Sequence, residues 1–231
     1  MLIECTNLVK SYSIENRDFR AVDDVSFGVA PGEFVTILGH SGSGKTTLLS
    51  LIGGLARPEH GQVTIDHVNC WSRDEAELAA MRNRTIGFIF QFGSLIPTLT
   101  ALENILLPLS FGKRTARSAE QVRRAGELLD QVGLADKAGS FPAQLSGGQQ
   151  RRVAIARAFV NDPRIVLADE PTGDLDEETE NEILALFRSY NERGTTFLVV
   201  THNNNLAATQ KRPRTFLMKN GRLDENTGKE H

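Results

Sequence analysis

The eight residues Gly39-His40-Ser41-Gly42-Ser43-Gly44-Lys45-Thr46 constrain the fold more than any other part of this chain. They follow an apolar run, Phe34-Val35-Thr36-Ile37-Leu38, which itself follows the turn-forming Pro31-Gly32-Glu33. They lead into a helix-compatible stretch, residues 46–52, that stops near Gly53-Gly54. A buried strand, a glycine-rich turn and a helix, in that order, turn backbone N–H groups inward around an anion at the positive end of the helix. In such a loop Lys45 reaches terminal phosphates, and the hydroxyl of Thr46, with Thr47 beside it, is placed to ligate Mg²⁺. Average composition produces this pattern by chance in a chain of this length only about once in a hundred times.

A second run, Ile165-Val166-Leu167-Ala168-Asp169-Glu170, ends in paired acids. Asp169, at the end of a hydrophobic strand, can hold Mg²⁺ directly or through water. Strand alternation sends Glu170 the other way, leaving it free to polarise an attacking water. Residues 61–65 and 86–90 read as further strands, and 165–168 and 196–201 as buried parallel ones. The helix between those last two starts at Asp176 and carries Ile183, Leu184, Phe187 and Tyr190 inward. In the middle of the chain, 118–132 puts Val122, Ala125, Leu128, Leu129 and Val132 on one helical face. Ser118 and Gln121 form its capping box, and Gly133 stops it. Strands alternating with helices imply a doubly wound α/β core, interrupted by a helical insert at about residues 92–160.

At 231 residues the chain suits one domain with a sizeable core. Its net charge of −3 gives no electrostatic reason to expect nucleic acid. Cys5 and Cys70 lack metal-ligand spacing and read as reduced thiols of a cytosolic protein. The first residues are charged too soon for a signal peptide, and no apolar run approaches ~18 residues. Any membrane role must therefore come through a partner.

One more segment, Leu145-Ser146-Gly147-Gly148-Gln149, continues as Gln150-Arg151-Arg152-Val153-Ala154-Ile155-Ala156-Arg157-Ala158. Ser146 and the amides of Gly147 and Gly148 at a helix start form a second anion site. With this segment the chain resembles the ATP-binding-cassette ATPases over essentially its whole length. The resemblance implies an α/β P-loop NTPase (RecA-like) core, an N-terminal antiparallel β subdomain and an inserted helical subdomain. It divides the single domain 1–231 into a core of 1–91 and 161–231 and a helical part of 92–160. It also implies a head-to-tail homodimer in which each ATP, with Mg²⁺, lies between one chain's phosphate loop and the other's Ser146–Gln149 signature. Residue by residue, Gln91 matches the glutamine that contacts Mg²⁺ and water, His202 the switch histidine at the γ-phosphate, and Tyr12 the aromatic that stacks on adenine. Asp176 matches the aspartate at the dimer seam and can equally be a helix N-cap. Three positions depart from the family's habit: Asp174 and Asn203 stand where a neutral residue and an aspartate are common, and His40 where proline is frequent. None removes a catalytic group.

The segment Gln91-Phe92-Gly93-Ser94-Leu95-Ile96-Pro97-Thr98-Leu99-Thr100-Ala101-Leu102-Glu103-Asn104-Ile105, with Pro171-Thr172-Gly173 after the acids, is similar to the bacterial MacB, LolD and FtsE group. That similarity implies a peripheral ATPase on the cytoplasmic face of the inner membrane, docked through residues 92–105 to permease subunits of MacB, LolC or FtsX type. Phe92, Leu95, Ile96 and Leu99 are candidates for the docking groove or for subdomain core. An FtsE-like regulatory ATPase that transports nothing has the same chemistry. A non-transport cassette acting on DNA or ribosomes would carry two cassettes, a coiled coil or a basic surface, and this chain shows none of these.

Overall fold

In the computed structural model, residues 1–14, 17–91, 95–111, 118–173, 175–203, 206 and 213–225 are described. Strand β1 (Ile3–Ile14) pairs antiparallel with β2 (Arg17–Val29) on one side and β4 (His60–Ile65) on the other. β5 (Val68–Asn69) completes this four-stranded sheet at its edge. The second sheet has six strands in the order β10-β9-β3-β8-β7-β6. Five of them run parallel: β3 (Phe34–Leu38), β6 (Ile86–Ile89), β7 (Ile165–Asp169), β8 (Thr196–Thr201) and β9 (Pro213–Lys219). Only β10 (Arg222–Glu225), hairpinned to β9, runs against them.

The central strands are apolar on both faces, as a sheet covered on both sides requires, and side-chain alternation divides them between two cores. Phe34, Val166, Ala168, Phe197 and Val199 enter one, against helices α3 (Ala101–Leu106), α4 (Ala119–Gln131), α5 (Gly147–Ala158) and α6 (Glu177–Glu192). Val35, Ile37, Leu167, Leu198 and Val200 enter the other, with α1 (Lys45–Ile52), α2 (Glu75–Thr85) and the inward side of the antiparallel sheet. In the first core Phe159 stacks on Tyr190 at 4.1 Å between ring centres and leans on Phe187 and Phe197 at 6.2 and 6.3 Å. Truncating a ring buried this fully costs about 3–5 kcal/mol.

Helix starts are set by short polar signals. Asp74 with Glu77, Thr100 with Glu103, Ser118 with Gln121 and Ser146 with Gln149 each form a reciprocal capping box. On α4, Ala125, Leu128, Leu129 and Val132 are buried as expected, but Val122 is 40% exposed. It lies on the first turn of the helix, before the helix is covered by its neighbours. Leu95 belongs to the first core, so it cannot receive a partner. Ile96 is exposed and Leu99 half-buried, while Phe92 and Asp174 lie outside the described residues. Fully buried Asn104 ties down this turn. Its Nδ2 donates to the carbonyls of Ile96, Leu99 and Thr100, and its Oδ1 accepts from the Ile96 N–H. Cys5 and Cys70 are buried free thiols. Burial pushes both up, Cys70 to about 11, so neither is an available thiolate. Among the described residues no helix is long and apolar enough to cross a membrane.

Candidate functional site

The parallel strands β3, β6, β7 and β8 deliver their carboxyl ends to one cleft of about 610 Å³, where an open α/β sheet holds its ligands. Each strand brings one part. After β3 comes loop 39–46, which turns through left-handed glycines Gly42 (φ 76°) and Gly44 (φ 105°) into α1. A Cβ on Gly44 would lie 1.9 Å from the Ala21 carbonyl oxygen of β2, so glycine is obligatory there on spatial grounds as well. His40, Ser41, Gly42, Ser43, Gly44, Lys45, Thr46 and Thr47 all line the cleft. Buried Lys45 donates from Nζ to the carbonyls of Gly39 and His40 at 2.6 and 3.0 Å, and so lies folded along its own loop.

Asp169 ends β7, and its Oδ2 accepts from the Thr46 hydroxyl at 2.7 Å. Burial raises its carboxyl above the usual range, against the lowering effect of that hydrogen bond. Glu170 does diverge from Asp169, but strand alternation is not the reason. The strand has already ended, and Glu170 has a left-handed backbone with φ 45°. Three groups hold its carboxylate. Oε2 accepts from Thr201 Oγ1 at 2.7 Å, while Oε1 accepts from the His202 N–H at 3.0 Å and sits 2.8 Å from His202 Nδ1. The His202 side chain is otherwise 74% exposed to the cleft. Gln91, two residues beyond β6, lines the cleft and is exposed. At the opposite end Tyr12 of β1 stands directly across from Phe19 of β2, both 42–46% exposed and both on the cleft wall.

The oxygen-only pair of Thr46 and Asp169 suits a hard divalent cation that keeps water and phosphate oxygens as its other ligands. Ser146, Gly147, Gly148 and Gln149 lie outside the cleft, at the exposed start of α5. Asp176 also lies outside it and is the N-cap of α6, accepting from the Thr179 N–H at 2.9 Å. That bond, first among its partners, lowers the Asp176 carboxyl below the usual range.

Sequence reading missed four participants: Phe19, Ala21, Thr201 and Arg151. Arg151, buried on α5, donates to the Glu170 carbonyl at 2.8 Å and so ties the signature helix to the acid's backbone. The position of Phe19 becomes evident only from the β1–β2 register, which no local pattern announces.

A family model described as ABC transporter matches residues 22–173, taking in the phosphate loop, Gln91, the signature and both acids. The chain belongs to the ABC transporter ATP-binding family. An uncharacterized ABC transporter ATP-binding protein of Thermotoga maritima is 50% identical over 202 residues, 87% of this chain and 86% of that protein. The uncharacterized ABC transporter ATP-binding protein YvrO of Bacillus subtilis is 42% identical over 222 residues, 96% of this chain and 95% of its own. Among solved structures, a dimeric post-hydrolysis state of the ATP-binding cassette MJ0796 with ADP and Pi superposes with a TM-score of 0.92 at 43% identity. The match covers 99% of this chain and 100% of that one. A second dimeric structure of MJ0796, described as a bacterial ABC transporter cassette, matches with the same TM-score at 44% identity. The α/β cassette fold expected from the sequence is therefore the fold of this chain. The protein is an ATP-binding, ATP-hydrolysing subunit of an ABC transporter.

Proposed function

We propose that two copies of this cassette close head to tail around two ATP molecules and pass that motion to permease subunits of the MacB, LolC or FtsX type. The observation that supports this reading most is the division of the site. Phosphate loop, acids, Gln91 and His202 share one cleft, while Ser146–Gln149 present a helix start outside it. In a second copy that helix start supplies the missing wall. The MJ0796 cassette is dimeric in both of its structures.

Lys45 leaves the Gly39 and His40 carbonyls for the terminal phosphates, and the loop amides take the oxygens between them. Tyr12 and Phe19 offer the base an aromatic wall. Thr46, Asp169 and Gln91 would hold Mg²⁺, which supplies charge neutralisation for the phosphates. Glu170, fixed by Thr201 and His202, polarises the attacking water, while His202 keeps its exposed edge toward the phosphate.

The helical part, residues 92–160, moves against the core 1–91 and 161–231. At their junction is an apolar groove of about 520 Å³ between α2, β6 and residues 107–111, with Leu55, Phe90 and Phe111 exposed beside it. This groove, walled by Leu107, Pro108 and Phe111 just after residues 95–105 in the chain, is the proposed seat of a permease segment on the cytoplasmic face of the membrane. The similarity of residues 91–105 to the MacB and LolD group supports that type of partner.

Glu170→Gln with ATP and Mg²⁺ should accumulate a dimer of twice the mass by light scattering, because binding persists while hydrolysis slows about 10³-fold. A variant that stays monomeric and hydrolyses at the normal rate overturns both the closure and the role of Glu170. Mass spectrometry of what co-purifies from membranes in mild detergent then identifies the partner.

A further inference from the structure

We infer that Glu180 is a positioning residue for hydrolysis, clamping the loop that carries Glu170 to the turn that carries His202. Glu180 lies in the first turn of α6, and one of its oxygens, Oε1, is shared by two donors. The Thr172 hydroxyl reaches it at 2.9 Å and the Asn203 Nδ2 at 3.0 Å. Thr172 is buried and lies two residues after Glu170. Asn203 continues in the other direction. Its backbone N–H donates to Thr201 Oγ1 at 3.0 Å, and that hydroxyl donates to Glu170 Oε2 at 2.7 Å. Two routes therefore run from one carboxylate to Glu170, one through the backbone of 170–172 and one through 203 and 201.

Hydrogen bonds to a charged acceptor are the strong kind, and bonds in series polarise one another. With both loops fixed to α6, the Glu170 carboxylate has one orientation. The inference rests on the reading of Glu170 as the water-polarising group.

The clamp works because residue 203 is a donor. A carboxylate at that position would face the Glu180 carboxylate across about 3 Å, and like charges so placed repel. The test is a double-mutant cycle on steady-state ATP hydrolysis by the full chain with Mg²⁺. Asn203→Asp should lower kcat about 30-fold with KM changed less than about threefold, because loop 39–46 is untouched and only geometry is lost. Glu180→Gln keeps an acceptor oxygen and should lower kcat only about twofold. The double variant restores a donor–acceptor pair and should recover about tenfold over Asn203→Asp.

Additive losses, or a rise in KM with kcat intact, overturn the inference. If Asn203→Asp does not fold, Asn203→Ala adds no charge and tests the same contact. It should lower kcat about fivefold, and a normal kcat overturns the clamp. The premise fails separately: Glu170→Gln turning over normally removes the role of Glu170, whereas an inactive Glu170→Gln with an additive cycle removes only the clamp.

Discussion

Loop 39–46 and segment 146–149 both bring glycines to the start of a helix, yet one is enclosed and the other is open. A Cβ added at Gly39 would lie 2.5 Å from the Met218 carbonyl oxygen, whereas one at Gly147 would meet nothing within 4 Å. The donors of the first loop face a cleft. The polar groups of the second are turned on each other, with Ser146 Oγ accepting from the Gln149 N–H and Gln149 Oε1 from the Ser146 N–H. Within one chain, packing thus explains Gly39 and Gly44, and a left-handed backbone explains Gly42. Neither explains Gly147, whose small size becomes useful when something approaches from outside.

The sharpest way to break this contrast is at Lys45. Lys45→Ala removes the ammonium proposed to turn from its own loop to the terminal phosphates, and should weaken ATP binding to a single copy about 100-fold, measured by titration with a fluorescent nucleotide. Gly147→Ala comes next. It adds a methyl to an exposed first helical turn, so it should hold or raise thermal stability by up to about 0.5–1 kcal/mol. It should nonetheless lower ATPase activity about tenfold, since the closed form needs the backbone bare. If Gly147→Ala weakened nucleotide binding to a single copy as Lys45→Ala does, the two segments would not be the separate halves described here.

The smallest expected effect concerns Asp169. Its carboxyl is raised by burial, so the folded chain takes up a proton there more readily than the unfolded chain does. A carboxylate with a raised folded value costs stability above that value, and the cost vanishes once pH falls below the unfolded one. Asp169→Asn should therefore raise the melting temperature of the nucleotide-free protein at pH 8 and lose that advantage as pH approaches 4. Calorimetry at the two pH values measures it. The same variant should need more Mg²⁺ for activity.

Much of this was legible in the sequence because the informative segments are short and contiguous. Strand, glycine loop and helix at 34–52 fall within one stretch, and so does the capping box at Ser118. What escaped depends on register or on parts far apart. Tyr12 meets Phe19 only because a hairpin pairs them. The divergence of Glu170 was foreseen for the wrong reason, since its left-handed backbone is set by what surrounds the strand end and not by alternation. Leu95 looked as fit for a surface groove as for a core. The groove itself is assembled from Leu55, α2, β6 and residues 107–111, which no single window of sequence contains.

The contact between Gly44 and Ala21 has a further consequence. The phosphate loop presses directly on the strand that, two residues before Ala21, carries Phe19 of the aromatic wall with Tyr12. Platform and loop therefore cannot drift apart independently, and the span between them becomes a fixed length. A ligand that rests its base at one end and its last phosphate at the other is gauged by that span. A ligand one phosphate shorter would still meet Lys45 through its remaining end, but with fewer oxygens for it to reach. Base and phosphates would thus be held at a set separation before any bond is broken.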